Sequence, residues 1–200
     1  MNNNNSSKQI LLSVLGVAIL VVAVVGISFA AFSFTKEGKV ENVITTGTIT
    51  MSYTEPTNGI NLTNALPISD TAGKALSGDN NTFDFTVGAS VSGTTEINYV
   101  ITAIKGDDCT ITDSGVKVYL TDQDDSQILA PTKVSALTKT AASNNAGAPA
   151  DQFILKTGTY SATSTDSYRL RMWVADDYTA PATAEKYVLK VNVYGQAAAK

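Results

Sequence analysis

The chain has 200 residues, of which 18 are acidic and 14 are basic, and its formal net charge is −4. It contains no histidine, which excludes Ser-His-Asp triads, Cys-His dyads and His-Glu-x-x-His zinc sites, so we expect a protein that is not an enzyme and uses no cofactor. No basic patch is present that could neutralise phosphates, and we expect no nucleic-acid partner. The single cysteine, Cys109, excludes an intrachain disulfide.

The amino-terminal segment has the order of an export signal. Lys8 precedes an apolar run over residues 10–25, and the small residues Ser28 and Ala30 follow it. Signal peptidase reads small side chains at these two positions, so the pattern predicts cleavage between Ala30 and Ala31. Signal peptidase and, at least transiently, the membrane are therefore expected partners.

The same stretch permits a second interpretation, an uncleaved membrane anchor. When the count is extended to Phe34, the segment is long enough to span a bilayer with some tilt. Residues 1–30 are thus a signal peptide or a single hydrophobic anchor helix, residues 31–42 an extended segment or linker, and residues 43–200 a folded domain. The protein is expected to be secreted or at the cell surface, or alternatively anchored by a single membrane pass.

Beyond the leader, apolar and polar residues alternate with a period of two, which is typical of half-buried β-strands. The clearest segments are 49–53, 83–91, 97–104, 116–120, 168–174 and 187–194. The second and third are expected to pair through a turn at Ser92-Gly93-Thr94, and Arg169, Arg171 and Lys190 fall at outward positions. Seven or eight short strands predict an all-β, two-sheet antiparallel sandwich of jelly-roll or immunoglobulin-like type.

Residues 136–150 differ in composition from the strands around them. They are mainly small and polar, with Ala, Ser, Thr, Asn and Pro. Such a segment offers little apolar area to offset the entropy lost on ordering. It is therefore predicted to be a mobile surface insertion in the β domain.

An acidic cluster formed by Asp122, Asp124 and Asp125 has a spacing like that of metal ligands. Comparison with an EF-hand loop fails further along, because Gln127 stands where glycine is needed and Lys133 where the bidentate acid should be. We therefore expect no metal site and interpret the cluster as a solvated hairpin tip, with a weak calcium site as the alternative.

Two passages carry a resemblance to a known family. The first runs Gly26-Ile27-Ser28-Phe29-Ala30-Ala31-Phe32-Ser33 and, after about a dozen residues, continues with Thr45-Thr46-Gly47-Thr48-Ile49-Thr50. It resembles the amino terminus of the TasA and camelysin family of exported bacterial proteins, with a dedicated signal peptide and a (S/T)-G-T-hydrophobic first strand. Residues 61–70, leading to residues 82–87, look like the family's N-L-x-N-x-x-P-x-D…F-x-F-x-V segment.

The resemblance implies a jelly-roll subunit or accessory protein of an extracellular surface or biofilm-matrix fibre. In such fibres an amino-terminal segment freed by signal processing adds as a strand to the next subunit. The corresponding donor segment here would be residues 31–43, with Phe32 and Phe34 as anchors and Val40 and Val43 as further ones. Its partners would be other copies of the chain or homologous matrix subunits; an ordinary first strand or a linker is the alternative.

Two further possibilities concern function. Some members of the family have been classed as metallopeptidases, but a chain without histidine gives that activity little support. The alternative to a fibre subunit is a membrane-anchored, monomeric binding module on a cell or virion surface. In that case loops such as 122–126 or 176–182 would contact a ligand.

Overall fold

The computed structural model describes residues 33–37, 44–46, 49–57, 59–60, 65–92, 95–107, 109–179 and 185–199. The expected signal peptide or anchor helix at residues 1–30 lies outside these ranges. Within them, no helix has the length and apolar character needed to cross a membrane.

The described residues are mostly strand. In chain order the strands are β1 (Ser33–Glu37), β2 (Ile44–Thr46), β3 (Ile49–Thr54), β4 (Thr82–Val91), β5 (Thr95–Lys105), β6 (Val116–Asp122), β7 (Gln127–Lys133), β8 (Phe153–Tyr160), β9 (Ser164–Val174) and β10 (Leu189–Ala199). Helical structure in the described part of the chain is limited to α1 (Asp70–Lys74) and two 3-10 turns, η1 (Asp113–Gly115) and η2 (Val134–Ala136). The predicted all-β class is confirmed.

The strands form two sheets. One has the order β1-β10-β5-β8 and the other the order β2-β3-β4-β9-β6-β7, and the pairs whose register is described are antiparallel. Eight strands remain when β2 and β3 are set aside, and they can be renumbered 1 to 8 in chain order. The four-stranded sheet then has the order 1-8-3-6. The remaining strands of the other sheet have the order 2-7-4-5. This arrangement of eight strands in two sheets is that of a jelly roll.

One predicted pairing is wrong. The strands β4 and β5 were expected to form a hairpin, but β4 pairs with β3 and β9, whereas β5 pairs with β10 and β8. The chain therefore crosses from one sheet to the other between them. Period-two alternation shows which side of each strand is buried, and that pattern is the same whether two strands share a sheet or face each other across the core.

The core lies between the two sheets. Its fully buried members include Met51 and Tyr53 of β3, Phe85 and Val87 of β4, and Ile97 of β5. The two layers approach closely at β10, where a Cβ placed on Gly195 would overlap the sulfur of Met51. Glycine at this position leaves the space that the methionine side chain of the opposite sheet fills.

The outer face of the six-stranded sheet is partly covered by α1. A Cβ on Gly73 would overlap the indole ring of Trp173, so glycine allows the helix to lie directly on β9. Lys117 of β6 donates a hydrogen bond to Asp70 of α1 at 2.7 Å, which ties the helix to the sheet. A third, minor layer thus lies on the sandwich.

This layer explains why Arg171, which was predicted at an outward position and does face away from the main core, is nevertheless buried. Arg171 is only 4% exposed. Its Nε donates to the carbonyl oxygen of Leu76 at 2.8 Å, and its Nη1 donates to Thr121 Oγ1 at 3.2 Å. Alternation places Arg171 on the face away from the main core, but it carries no information about a distant segment that covers that face.

The loop at residues 136–150 also differs from its prediction as a mobile insertion. It packs against β5 and β10, with Ala146 and Ala148 buried. Asn144 Oδ1 accepts hydrogen bonds from the backbone N–H groups of Ala146 at 3.1 Å and of Ala148 at 3.0 Å. Small side chains allow close packing, and the loop satisfies its own polar groups, so a low content of large apolar residues does not prevent it from ordering.

Candidate functional site

Strand edges are the first feature of functional interest, because an edge strand presents unpaired N–H and C=O groups to solvent. The edges of the two sheets are β1 and β8 in one, and β2 and β7 in the other. Two of them are protected. Pro131 lies in β7, whose pairing with β6 is irregular, and the start of β8 is covered where Ile154 N–H donates to Thr138 O at 2.8 Å.

The edge formed by β1 and β10 is different. β10 has 11 residues, all paired with β5 from Leu189 to Ala199, whereas β1 on its other side has 5. Among the described strands, β1 is the only neighbour on that side. More than half of this edge of β10 therefore has no strand partner in the described part of the chain.

The predicted donor segment, residues 31–43, coincides in part with this edge strand. Phe34 lies in β1, which is hydrogen-bonded to β10 of the same chain. Phe32, Val40 and Val43 lie outside the described residues, as do the predicted cleavage residues Ser28, Ala30 and Ala31.

The acidic cluster lies at the tip of the β6–β7 hairpin, as predicted. Asp122 Oδ1 accepts hydrogen bonds from the backbone N–H groups of Asp124 at 3.0 Å and of Ser126 at 2.8 Å. The side chain of Asp122 therefore stabilises the turn itself, which is a common role for aspartate in tight turns.

The carboxylate of Asp125 does not take part in the turn and instead contacts two arginines of β9. Its φ of 60° lies in the left-handed region, and its carboxylate accepts a hydrogen bond from Arg171 Nη2 at 2.6 Å, with Arg169 Nη1 at 3.7 Å. The hydrogen bond from Arg171 lowers the pKa of the Asp125 carboxyl. No group of three or more Cys, Asp or Glu side chains placed to hold a metal ion occurs in the part of the chain that the structure describes.

A cleft of about 480 Å³ lies beside this hairpin tip. Its walls come from the tip, from β7, from β8 and from the start of β9, and the lining residues are Asp122, Gln123, Asp124, Ile128, Lys156, Thr165, Asp166, Ser167 and Tyr168. Only one of them, Ile128, is aliphatic. The cleft is thus suited to a polar ligand rather than to an apolar one.

The cleft exists because two paired strands end at different places. β6 pairs with β9 from Val174 to Tyr168, whereas β9 extends back to Ser164. The first four residues of β9, residues 164–167, are therefore paired with β4 on one side only. On the other side, no described strand continues the sheet.

One wall holds a network of tyrosines around Asp166. The hydroxyl groups of Tyr160 and Tyr168 donate to Asp166 Oδ2 at 2.8 and 3.3 Å. The hydroxyl groups of Tyr99 and Tyr168 also share a hydrogen bond, with 3.1 Å between their oxygens. Burial raises the pKa values of Tyr160 and Tyr168 well above their ordinary value, so both phenols stay protonated and keep Asp166 in place.

Lys156 of β8 completes this wall. Its Nζ lies 5.7 Å from the centroid of the Tyr168 ring, and within the described ranges it forms no ion pair with a carboxylate. Neither Lys156 nor Asp166 could be predicted from the sequence, because these residues come from two strands that only the folded sandwich brings together. The predicted hairpin tip at residues 122–126 is the one sequence signal that lies at the cleft.

Comparisons with known proteins identify no relative of the chain. No protein-family model, curated protein or solved structure matches the chain.

Proposed function

We propose that the protein is a non-enzymatic extracellular structural protein, a subunit or accessory of a surface or biofilm-matrix fibre. It would assemble by adding its amino-terminal segment as a strand to a neighbouring copy. The observation that carries this proposal is the position of β1. The strand begins two residues after the predicted new amino terminus, Ala31, and it lies at a sheet edge against β10.

The lengths of the two segments favour exchange between copies. The donor segment, residues 31–43, is long enough to pair along all of β10, whereas β1 uses only 5 residues. When the segment comes from another copy, more of it can lie along β10 in extended form. Each added pair of strand residues satisfies backbone groups that have no strand partner in the described part of the chain, which offsets part of the entropy lost on association.

The protection of two other edges would limit where a donor strand can add. Proline and irregular pairing disfavour strand addition at β7, and the chain's own loop covers the start of β8. Compared with β7 and β8, β10 would thus be the more favourable acceptor for a donor strand. Head-to-tail contacts of this kind generate filaments rather than closed dimers when the rotation between copies does not close a ring.

The second candidate is a membrane-anchored monomeric binding module, in which residues 1–30 are retained. It is favoured by the cleft beside the hairpin tip at residues 122–126. Amino-terminal sequencing of the native protein separates the two candidates. A start at Ala31 supports secretion and assembly, and an intact Met1 in a membrane fraction supports the anchor.

The assembly itself is tested by negative-stain microscopy of protein that begins at Ala31, compared with protein that lacks residues 31–43. We expect fibres from the first and none from the second, with both showing the circular dichroism of a folded β-sheet protein. Equal fibre formation by the shortened protein would refute strand donation.

A further inference from the structure

The start of β9 presents a gap in the six-stranded sheet. Residues 164–167 pair with β4 on one side, and β6 ends before it reaches them on the other. Alternate residues of an antiparallel strand direct both N–H and C=O to the same side, so part of this stretch offers backbone groups to the cleft. Its four residues span roughly 14 Å at about 3.4 Å per residue.

The geometry of the gap suits an extended chain. A segment added here would run antiparallel to β9 and continue the line of β6, with the hairpin tip closing one end. The opposite wall is β8, which contributes Lys156, and the volume of about 480 Å³ lies within the usual range for ligand sites. Backbone pairing along β9 would supply affinity, and the side chains around the cleft would supply selectivity.

The charges around the cleft favour a cationic ligand. Three carboxylates, those of Asp122, Asp124 and Asp166, line it together with one ammonium group, that of Lys156. Within the described residues, the Asp124 carboxylate and Asp166 Oδ1 accept no hydrogen bond, whereas Asp166 Oδ2 is held by two tyrosines. The tyrosines thus keep one carboxylate oriented in advance, which lowers the entropic cost of binding.

We propose that this cleft binds an extended polypeptide segment that carries a lysine or arginine side chain. The segment adds as a short strand to residues 164–167 and places its positive charge against Asp124 and Asp166. The donor segment at residues 31–43 is not the intended ligand, because its two lysines are balanced by two glutamates. The proposal therefore stands or fails independently of fibre assembly at β10.

The test uses the full 200-residue chain in detergent and the peptide Thr-Val-Thr-Lys-Thr-Val-amide with fluorescein on its amino terminus, and binding is followed by fluorescence anisotropy. One matched peptide replaces the lysine with glutamate, and another replaces the valine and the threonine that precede the lysine with two prolines, so that one of the two lost N–H groups faces β9. Asp124→Lys reverses one charge of the cleft at an exposed position without a described side-chain partner. Asp79→Lys makes the same change at an exposed position away from the cleft.

We expect the lysine peptide to bind about three- to tenfold more tightly than the glutamate peptide, and the proline peptide to bind more weakly, since it lacks a backbone donor. Asp124→Lys should remove the preference for lysine, whereas Asp79→Lys should retain it. Exchange of the backbone amide hydrogens of residues 164–167 should slow when the lysine peptide is bound. Equal binding of the three peptides, no binding at millimolar concentration, or protection elsewhere in the chain would overturn the proposal.

Discussion

Replacing Asp125 with asparagine tests how the hairpin tip is held to the sandwich. The carboxylate accepts a hydrogen bond from the buried Arg171 at 2.6 Å, and the residue has a φ of 60°. Asparagine has the same shape and tolerates left-handed backbone, so Asp125→Asn removes the charge without adding strain. The substitution leaves the buried guanidinium with neutral acceptors alone, which are the Leu76 carbonyl, the Thr121 hydroxyl and the new amide oxygen at position 125.

The expected loss of stability follows from the burial of the two partners. Breaking a fully buried ion pair costs about 3–5 kcal/mol, but an exposed pair contributes only about 0.2–1 kcal/mol. The side chain of Arg171 is 5% exposed and that of Asp125 is 60% exposed, so water partly screens the pair. We therefore expect a loss of about 1–2 kcal/mol in the free energy of unfolding, or roughly 2–8 °C in Tm for a domain of this size.

The assay is thermal and urea unfolding of protein that begins at Ala31, with Asp124→Asn as control. The pKa of Asp125 is lowered in the folded state, so its contribution is present above the unfolded carboxyl pKa of about 3.9 and is lost as the pH falls through the lower folded value. The difference between wild type and Asp125→Asn should thus be full at pH 7 and shrink in strong acid. Equal stability of the two asparagine variants at pH 7 would refute the reasoning.

Two further predictions concern packing and buried polar groups. Gly195→Ala should cost about 1–3 kcal/mol because its Cβ overlaps Met51, and the cost should fall when Met51 is also replaced by valine; an unchanged cost in the double variant would contradict the contact. Gln152→Leu should cost about 1–3 kcal/mol because it leaves the buried hydroxyls of Thr102 and Tyr194 without their partner, whereas Tyr194→Phe removes one hydroxyl and should cost less. The urea midpoint of unfolding, with an unchanged m value, measures the loss of stability in both sets of variants. A Gln152→Leu variant as stable as wild type would argue against this hydrogen-bond network.

The strands that could be predicted are those with one face in the main core. β4 alternates cleanly because Phe85 and Val87 face the opposite sheet while Asp84 and Thr86 do not. β7 and β8, which are both edge strands, were missed. β7 has no fully buried residue and contains Pro131, and in β8 the apolar alternation is limited to one end, over Phe153 and Leu155. The alternation of apolar and polar residues is strong where one face of a strand is buried and weak in edge strands. The edge strands of the sandwich were therefore the hardest to predict from the sequence.

Features formed by distant segments could not be predicted. The burial of Arg171 depends on the segment after α1, which lies about 95 positions earlier in the chain. The cleft depends on where β6 ends relative to β9, and a single sequence contains no signal for that register. The hairpin tip was predictable because Asp122 and its neighbours form a local turn.

The most direct test of the central claim, assembly through β1 and β10, uses proline in β1. Neighbouring strand residues point their N–H groups to opposite sides, so one of the two variants Phe34→Pro and Thr35→Pro must remove a donor that faces β10. Measured by negative-stain microscopy, at least one of them should abolish fibres while Thr35→Ala forms them normally. Fibres of equal number and length from all three variants would contradict the account.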